Sequence, residues 1–150
     1  MVHELADYER APEQCHLTEE QLAAALFPTA PGSAPALFGH VAMDATGQPV
    51  GFALWFLNFS TWEGVHGLYL EDLYVRPAAR GTGVGRRLLA TLAAICIERG
   101  YRRLEWWMIH WNPAARFYAS IGATPMDEWV PYRLTGGALH ELAGKATVVT

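Results

Sequence analysis

"RPAARGTGVGRRLLATL", residues 76–92, is the stretch whose reading decides the fold. Gly81, Gly83 and Gly85 are interleaved with Arg80, Arg86 and Arg87, and the run passes directly into a leucine-rich pattern of helical period. Upstream, "LYLEDLYV" (68–75) reads as a strand, so the glycines occupy a strand-to-helix turn. At such a turn the unpaired N–H groups and the helix dipole make an anion site, and glycines let a phosphate approach the backbone. Two familiar phosphate signatures fail on context. A P-loop needs Lys and then Ser or Thr after its last glycine, where this chain has Arg86 and Arg87. A dinucleotide fingerprint needs an acidic residue at the end of a second strand, and Glu98 falls inside a helical pattern instead. The plain alternative is a tight turn with no ligand. The three arginines favour the anion.

Outward from this turn, the residues predict a chain of short elements. "MVHELADYER" reads as helix, broken by "APEQ". "LTEEQLAAALF" offers Thr18 as N-cap and Gln21 three residues on, a capping box, with Pro28 as the stop. "ALFGHVAMD" and "PVGFALWFLNF" flank the turn "ATGQ" as a hairpin, and "STWEGVHG" leads to the strand at 68–75. Residues 83–99 carry Val84, Leu88, Leu89, Leu92, Ala93, Ile95 and Cys96 on one helical face, ended by Gly100. "RRLEWWMIH" (102–110) then reads as a strand, "NPAARFYASIG" as a helix opened by Pro113 and closed by Gly122, and "EWVPYRL" (128–134) as a last strand. "GGALHELAG" is a short helix, and the final residues are expected to fray. Early strands joined by tight turns and later ones by helical crossovers predict an α/β fold with a mixed sheet.

Composition bounds the function. The 150 residues are 51% apolar, enough for one domain, 1–150, with a genuine core. No run approaches the roughly 18 apolar residues of a membrane span, and the N-terminus lacks the basic and apolar regions of a leader, so a cytoplasmic protein is expected. Cys15 and Cys96 are too few and too far apart for a disulfide framework. The histidines show no ligand spacing, so no metal is expected. A net charge of −4 argues against nucleic acid and suits a cationic substrate.

The six residues Arg80–Gly85 resemble the R/Q-x-x-G-x-G/A loop of the GNAT superfamily of N-acetyltransferases, which cradles the pyrophosphate of acetyl-CoA. "LYLEDLYVRPAARGTGVG", "WNPAARFYASIGA" and "ELADYERAPEQCHLTEEQL" are together similar to the diamine (spermidine/spermine) acetyltransferase branch, including its thialysine-acetylating and bacterial members, over roughly residues 2–143. The resemblance implies a GNAT fold, a mixed central β-sheet flanked by α-helices. The chain is expected to lack the family's first strand and the front half of its first helix. Acetyl-CoA as donor, a small cationic polyamine- or diamine-like acceptor and a homodimer are implied as well.

The resemblance also assigns residues. Arg80, Gly81, Thr82, Gly83, Val84, Gly85 and Arg86 would take the pyrophosphate, and the backbone of Leu73, Tyr74 and Val75 would pair with the pantetheine arm, which Asn112 would also contact. An alkylamine near pKa 10.4 is protonated at neutral pH, so its attack on a thioester needs a base. Glu71 and Asp72 are consecutive in the strand before the loop. On a regular strand they point to opposite faces, and a bulge of the kind the family has there would turn both to one side. Glu71 is then the proton acceptor, through water, and a substrate ligand, and Asp72 holds the amine. A solvated surface pair is the other reading. Tyr118 is the general acid for the departing thiolate by resemblance, where pattern alone favours core packing. Tyr8 and Glu9 align with substrate-contacting positions, Glu128 lies near another acidic position of the equivalent loop and joins them as a substrate ligand, and Trp62 would close over the cation. Trp106, Trp107 and Trp111 read first as core or interface, with a substrate role second. Other acceptors remain open: a lysine-like amino acid, an aminoglycoside or a protein amine. A regulatory module that binds acyl-CoA without chemistry is the rival of another class.

Overall fold

The computed structural model describes residues 1–147. The expected fraying of the last residues falls on 148–150 and lies outside the described residues. The chain divides into two compact units, Met1–Pro113 and the residues from Ala114 onward.

Local chemistry sets the ends of the helices in the first unit. Helix α1 (Val2–Tyr8) is followed by a 3₁₀ turn at Pro12–Gln14 and by α2 (Glu19–Leu26). The capping box of α2 is complete: the Gln21 N–H donates to Thr18 Oγ1 at 3.2 Å, and the Thr18 N–H donates to Gln21 Oε1 at 2.9 Å. Strands β1 (Phe38–Met43) and β2 (Pro49–Ser60) form the expected hairpin. Its turn is held by the Asp44 carboxylate, which accepts the Thr46 N–H at 2.8 Å and the Gln48 N–H at 3.0 Å. Strand β3 (Val65–Val75), a 3₁₀ turn at Pro77–Ala79 and helix α3 (Val84–Arg99) follow, then β4 (Leu104–Glu105). The sheet order is β1-β2-β3-β4, antiparallel except for the parallel β3–β4 pair, so the sheet is mixed.

The core lies on both faces of β2, whose residues Gly51–Trp55 are all buried. On one face Phe52 and Leu54 pack with Tyr74 and with Leu5 of α1, edged by Leu22 and Leu26 of α2. On the other, α3 buries Val84, Leu88, Leu89, Leu92 and Cys96 at helical spacing. Ala93, expected on that face, is exposed. Helix α1 is pinned by an ion pair: Arg76 donates from Nη2 to Glu4 Oε1 at 2.7 Å and from Nε to Oε2 at 3.0 Å, while its Nη1 reaches the Pro49 carbonyl at 2.8 Å. The hydrogen bonds from Arg76 hold the Glu4 carboxyl below its ordinary value.

The strand expected over 102–110 shrinks to Leu104 and Glu105, because β3 offers it partners only at Leu68 and Tyr69. Extended residues without a ladder are not a strand. In the second unit, α4 (Ala115–Ser120) and α5 (Gly136–Ala143) form as expected. The strand expected at 128–134 does not form among the described residues, where Pro131 removes a ladder donor from its middle.

Gly51 packs β2 against the end of β3. A Cβ there would lie 2.9 Å from the Tyr74 carbonyl oxygen and 3.2 Å from Val84 Cγ1, neither a flexible tip. Gly51→Ala is therefore expected to lower stability by about 1–3 kcal/mol, read as a lower urea midpoint at unchanged slope.

Candidate functional site

The register of β3 on β2 slips by one residue at the expected carboxylates. Asp72 faces Leu54 and Leu70 faces Trp55, so Glu71 is an extra residue, a β-bulge. The parallel pairing with β4 has already ended at Tyr69. From Asp72 to Val75 the strand is bonded to β2 on one side and, among the described residues, to no strand on the other. That open edge can take an extended amide-bearing ligand as an added strand. The Leu73–Val75 backbone assigned to the pantetheine arm lies along it.

The bulge gathers charge. Asp72 shares a face with Tyr74, its neighbour two residues on, whose ring packs on the α1 side. There the Asp72 carboxyl is pushed up to about 6, first by burial and then by the negative charges of Glu71 and Glu9. Burial also raises Glu9, at the end of α1. Glu71 itself is exposed. The sequence-predicted trio Glu9, Glu71 and Asp72 is thus brought together, an acidic site in which one carboxylate is half-buried and faces two others. Such an arrangement costs free energy until a cation enters it.

Beyond the open edge, the chain turns through Pro77–Ala79 into the glycine-rich loop. Gly81 has φ +77° and Gly83 φ +84°, and a Cβ at Gly81 would meet nothing within 4 Å. The left-handed backbone, not crowding, calls for glycine at Gly81. Gly83 opens α3 with no side-chain cap, so no side chain at the N-cap satisfies the first-turn N–H groups, which suits an anion site. Thr82 closes the turn through Oγ1, which donates to the Ala79 carbonyl at 2.7 Å, and its own carbonyl accepts from Arg87 Nη1 at 3.2 Å. Arg86 is exposed at this helix start. Arg80 lies back along the open edge, donating from Nε to the Val75 carbonyl at 2.9 Å.

A row of rings and guanidinium groups connects these parts. Arg80 Cζ sits 4.6 Å over the Tyr8 ring and 5.8 Å over Tyr74; Tyr8 lies 6.1 Å from Trp111; and Arg10 Cζ sits 4.6 Å over Trp111. Tyr8 therefore borders both the acidic site and the loop. Trp111, whose substrate role was the second reading, and Arg10, which sequence reasoning missed, stand with it. Asn112 follows Trp111, its N–H bonded to the Ile109 carbonyl at 2.9 Å. The structure does not bring Trp62 to the carboxylates within this chain. It occupies the β2–β3 turn before Val65, about 20 Å along β3 from Asp72 by strand rise. Tyr118 and Glu128 belong to the second unit. Tyr118 lies on α4 with its ring 5.3 Å from that of Phe117, and Glu128 is exposed in a turn.

Comparison with known proteins gives a consistent answer. The model of the acetyltransferase (GNAT) family matches residues 2–123. Thialysine N-epsilon-acetyltransferase of Bos taurus is 35% identical over 156 residues, covering 97% of this chain and 89% of the relative. L-ornithine N5-acetyltransferase of Arabidopsis thaliana is 39% identical over 93 residues, 61% of this chain and 41% of its own. Among solved structures, an integron cassette protein from the mobile metagenome of V. cholerae superimposes with a TM-score of 0.75 at 32% identity, covering 95% of this chain and 86% of that one. The chain belongs to the acetyltransferase (GNAT) family, has its fold and is an acetyltransferase.

Because the Asp72 carboxyl is raised in the folded chain, its ionisation opposes folding, and that penalty develops as pH rises from about 4 to about 6. Asp72→Asn is expected to be more stable than the parent at pH 7.5, by on the order of 2 kcal/mol. The difference should vanish toward pH 4. Thermal melts of both proteins at the two pH values check this.

Proposed function

We propose that the chain transfers the acetyl group of acetyl-CoA directly to a primary amine of a small cationic acceptor, a diamine- or polyamine-like molecule or a lysine-like amino acid. The observation that carries this is the bulge at Glu71. It opens the Asp72–Val75 edge beside an acidic site and leads along that edge to an uncapped helix start. The extended donor would lie on the edge, its pyrophosphate toward Gly81–Arg86 and its thioester toward the carboxylates.

The steps follow from the groups present. Asp72, half-buried with Glu9 and Glu71 around it, attracts the ammonium. Glu71, exposed on the bulge, takes the ammonium proton through water, which frees the nitrogen lone pair. The amine nitrogen then bonds to the thioester carbonyl carbon, and the carbon–sulfur bond breaks. Tyr118 is the donor of a proton to the departing thiolate. The second proton, which the bonded nitrogen sheds as it becomes an amide, passes through water to the tyrosinate, so amide, free thiol and protonated Tyr118 result. Its support is the likeness of "FYASIGA" to the family and its place inside the family match. Cys96, the buried cysteine of α3, has its thiol pushed up by burial, which does not suit a covalent relay. Two of the relatives are named for amino acids with a terminal amine, which supports the lysine-like arm of this reading.

The test is thiol release from acetyl-CoA at mildly alkaline pH across spermidine, putrescine, lysine, ornithine, thialysine, an aminoglycoside and a short peptide. Release with one class of small amine is expected. Binding of acetyl-CoA with no release from any acceptor would turn the reading into that of a regulatory module. Tyr118→Phe is expected to lower kcat by about two orders of magnitude with acetyl-CoA affinity kept. An unchanged kcat would remove the acid.

A further inference from the structure

Three helices of the chain end in one hydrogen-bond pattern. At α3 the Tyr101 N–H bonds to the Cys96 carbonyl and the Gly100 N–H to Ile97; at α4 the Ala123 N–H bonds to Tyr118 and the Gly122 N–H to Ala119. At α1 the Ala11 N–H bonds to the Ala6 carbonyl at 3.0 Å and the Arg10 N–H to Asp7 at 3.1 Å. Each is a Schellman motif, whose turning residue must be left-handed. Gly100 and Gly122 fill that place with φ +71° and +86°, whereas α1 has Arg10 at +62°, the only non-glycine residue with positive φ among those described. A side chain there costs about 1 kcal/mol relative to glycine.

The arginine's surroundings show what the side chain is for. Its guanidinium lies on the exposed Trp111 ring at 4.6 Å and has no ion-pair partner among the described residues, whereas Arg76, Arg102 and Arg103 each pair with a glutamate. Arg10 is next in sequence to Glu9, whose charge reaches Asp72. Trp111, under the Arg10 guanidinium, lies 6.1 Å from the ring of Tyr8, the residue before Glu9, so the rings join the cation to the end of α1 that carries Glu9. An acceptor bound with its ammonium at the acidic site would extend along the end of α1 toward Arg10.

We propose that Arg10 binds a carboxylate on the acceptor, so that the site selects lysine-like amino acids over diamines of the same length. This rests on the acetyl-transfer reading above. A planar guanidinium held on a ring presents a fork that matches a carboxylate. It also repels the second ammonium of a diamine, so one residue acts for one class and against the other. Arg80, also stacked on a ring, has its Nε on the Val75 carbonyl.

The experiment measures kcat/KM of the full chain for matched pairs that differ only in the carboxylate: lysine against cadaverine, ornithine against putrescine. The parent is expected to prefer the amino acid of each pair by tenfold or more. Arg10→Gly, which relieves the left-handed strain and should not lower Tm, is expected to reduce that preference by about tenfold, and Arg10→Lys to keep part of it. Equal kcat/KM within each pair, or an unchanged preference in Arg10→Gly, overturns the assignment of Arg10. Release from neither class, by protein that binds acetyl-CoA, overturns the transfer reading instead. Calorimetric titration of the CoA-bound protein with lysine and cadaverine then reads the same preference without turnover, and equal affinities overturn Arg10 there too.

Discussion

One inserted residue in β3 governs the site. Without Glu71 as a bulge, Asp72 and Glu71 would alternate across the sheet, one toward the helix α1 and one toward α3. The bulge breaks that alternation and sets the half-buried Asp72 beside Glu71 and within reach of the Glu9 charge. It also re-aims β3 just past its last contact with β4, which is why the parallel pairing covers only Leu68 and Tyr69. Charge and open backbone edge are therefore one feature. A strand that continued its pairing would offer neither.

The cost of this feature is met nearby. Three carboxylates in one place repel one another, and the raised Asp72 records that repulsion together with burial. Stability comes from apolar packing on both faces of Gly51–Trp55 and from the two-pronged Arg76–Glu4 pair. That pair joins α1 to the end of β3, and so holds Tyr8 and Glu9 beside Asp72. The ion pair is partly exposed and adds little net stability by itself. Its effect is positional: it selects where the end of α1 sits.

Much of this was legible in the sequence, because the signals were local. Thr18 and Gln21, the Asp44–Gln48 turn, the α3 stripe and the stop at Gly100 each carry their rule within a few residues. Strands at 102–110 and 128–134 carried the right residue types and still did not form as expected, since a strand exists through partners that its own residues do not specify. The carboxylates were legible as a pair, but their convergence was not derivable from alternation and came from the family likeness. Arg10 was missed for a different reason. Left-handed turns are signalled by glycine, and an arginine in that place gives no mark in the sequence beyond the break at "APEQ" that follows.

The same contrast separates a catalyst from a module that only binds. A domain that merely held acyl-CoA would need the loop and the open edge, both of which are backbone features that most side chains tolerate. It would gain nothing from a half-buried aspartate facing two glutamates, nor from an arginine in a place that favours glycine. The carboxylates' mutual repulsion is relieved by a cation, and the left-handed strain at Arg10 is tolerated for a side chain that, in the proposal above, meets an anion. One charge is the negative charge of the carboxylates and the other the positive charge of Arg10 on the Trp111 ring. A ligand that answers both would carry a positive end and a negative end. Acetyl-CoA, whose only charges are its negative phosphates, answers the loop and the edge and offers the carboxylates no cation. The acidic site suits a second, cationic substrate, as the proposed transfer needs.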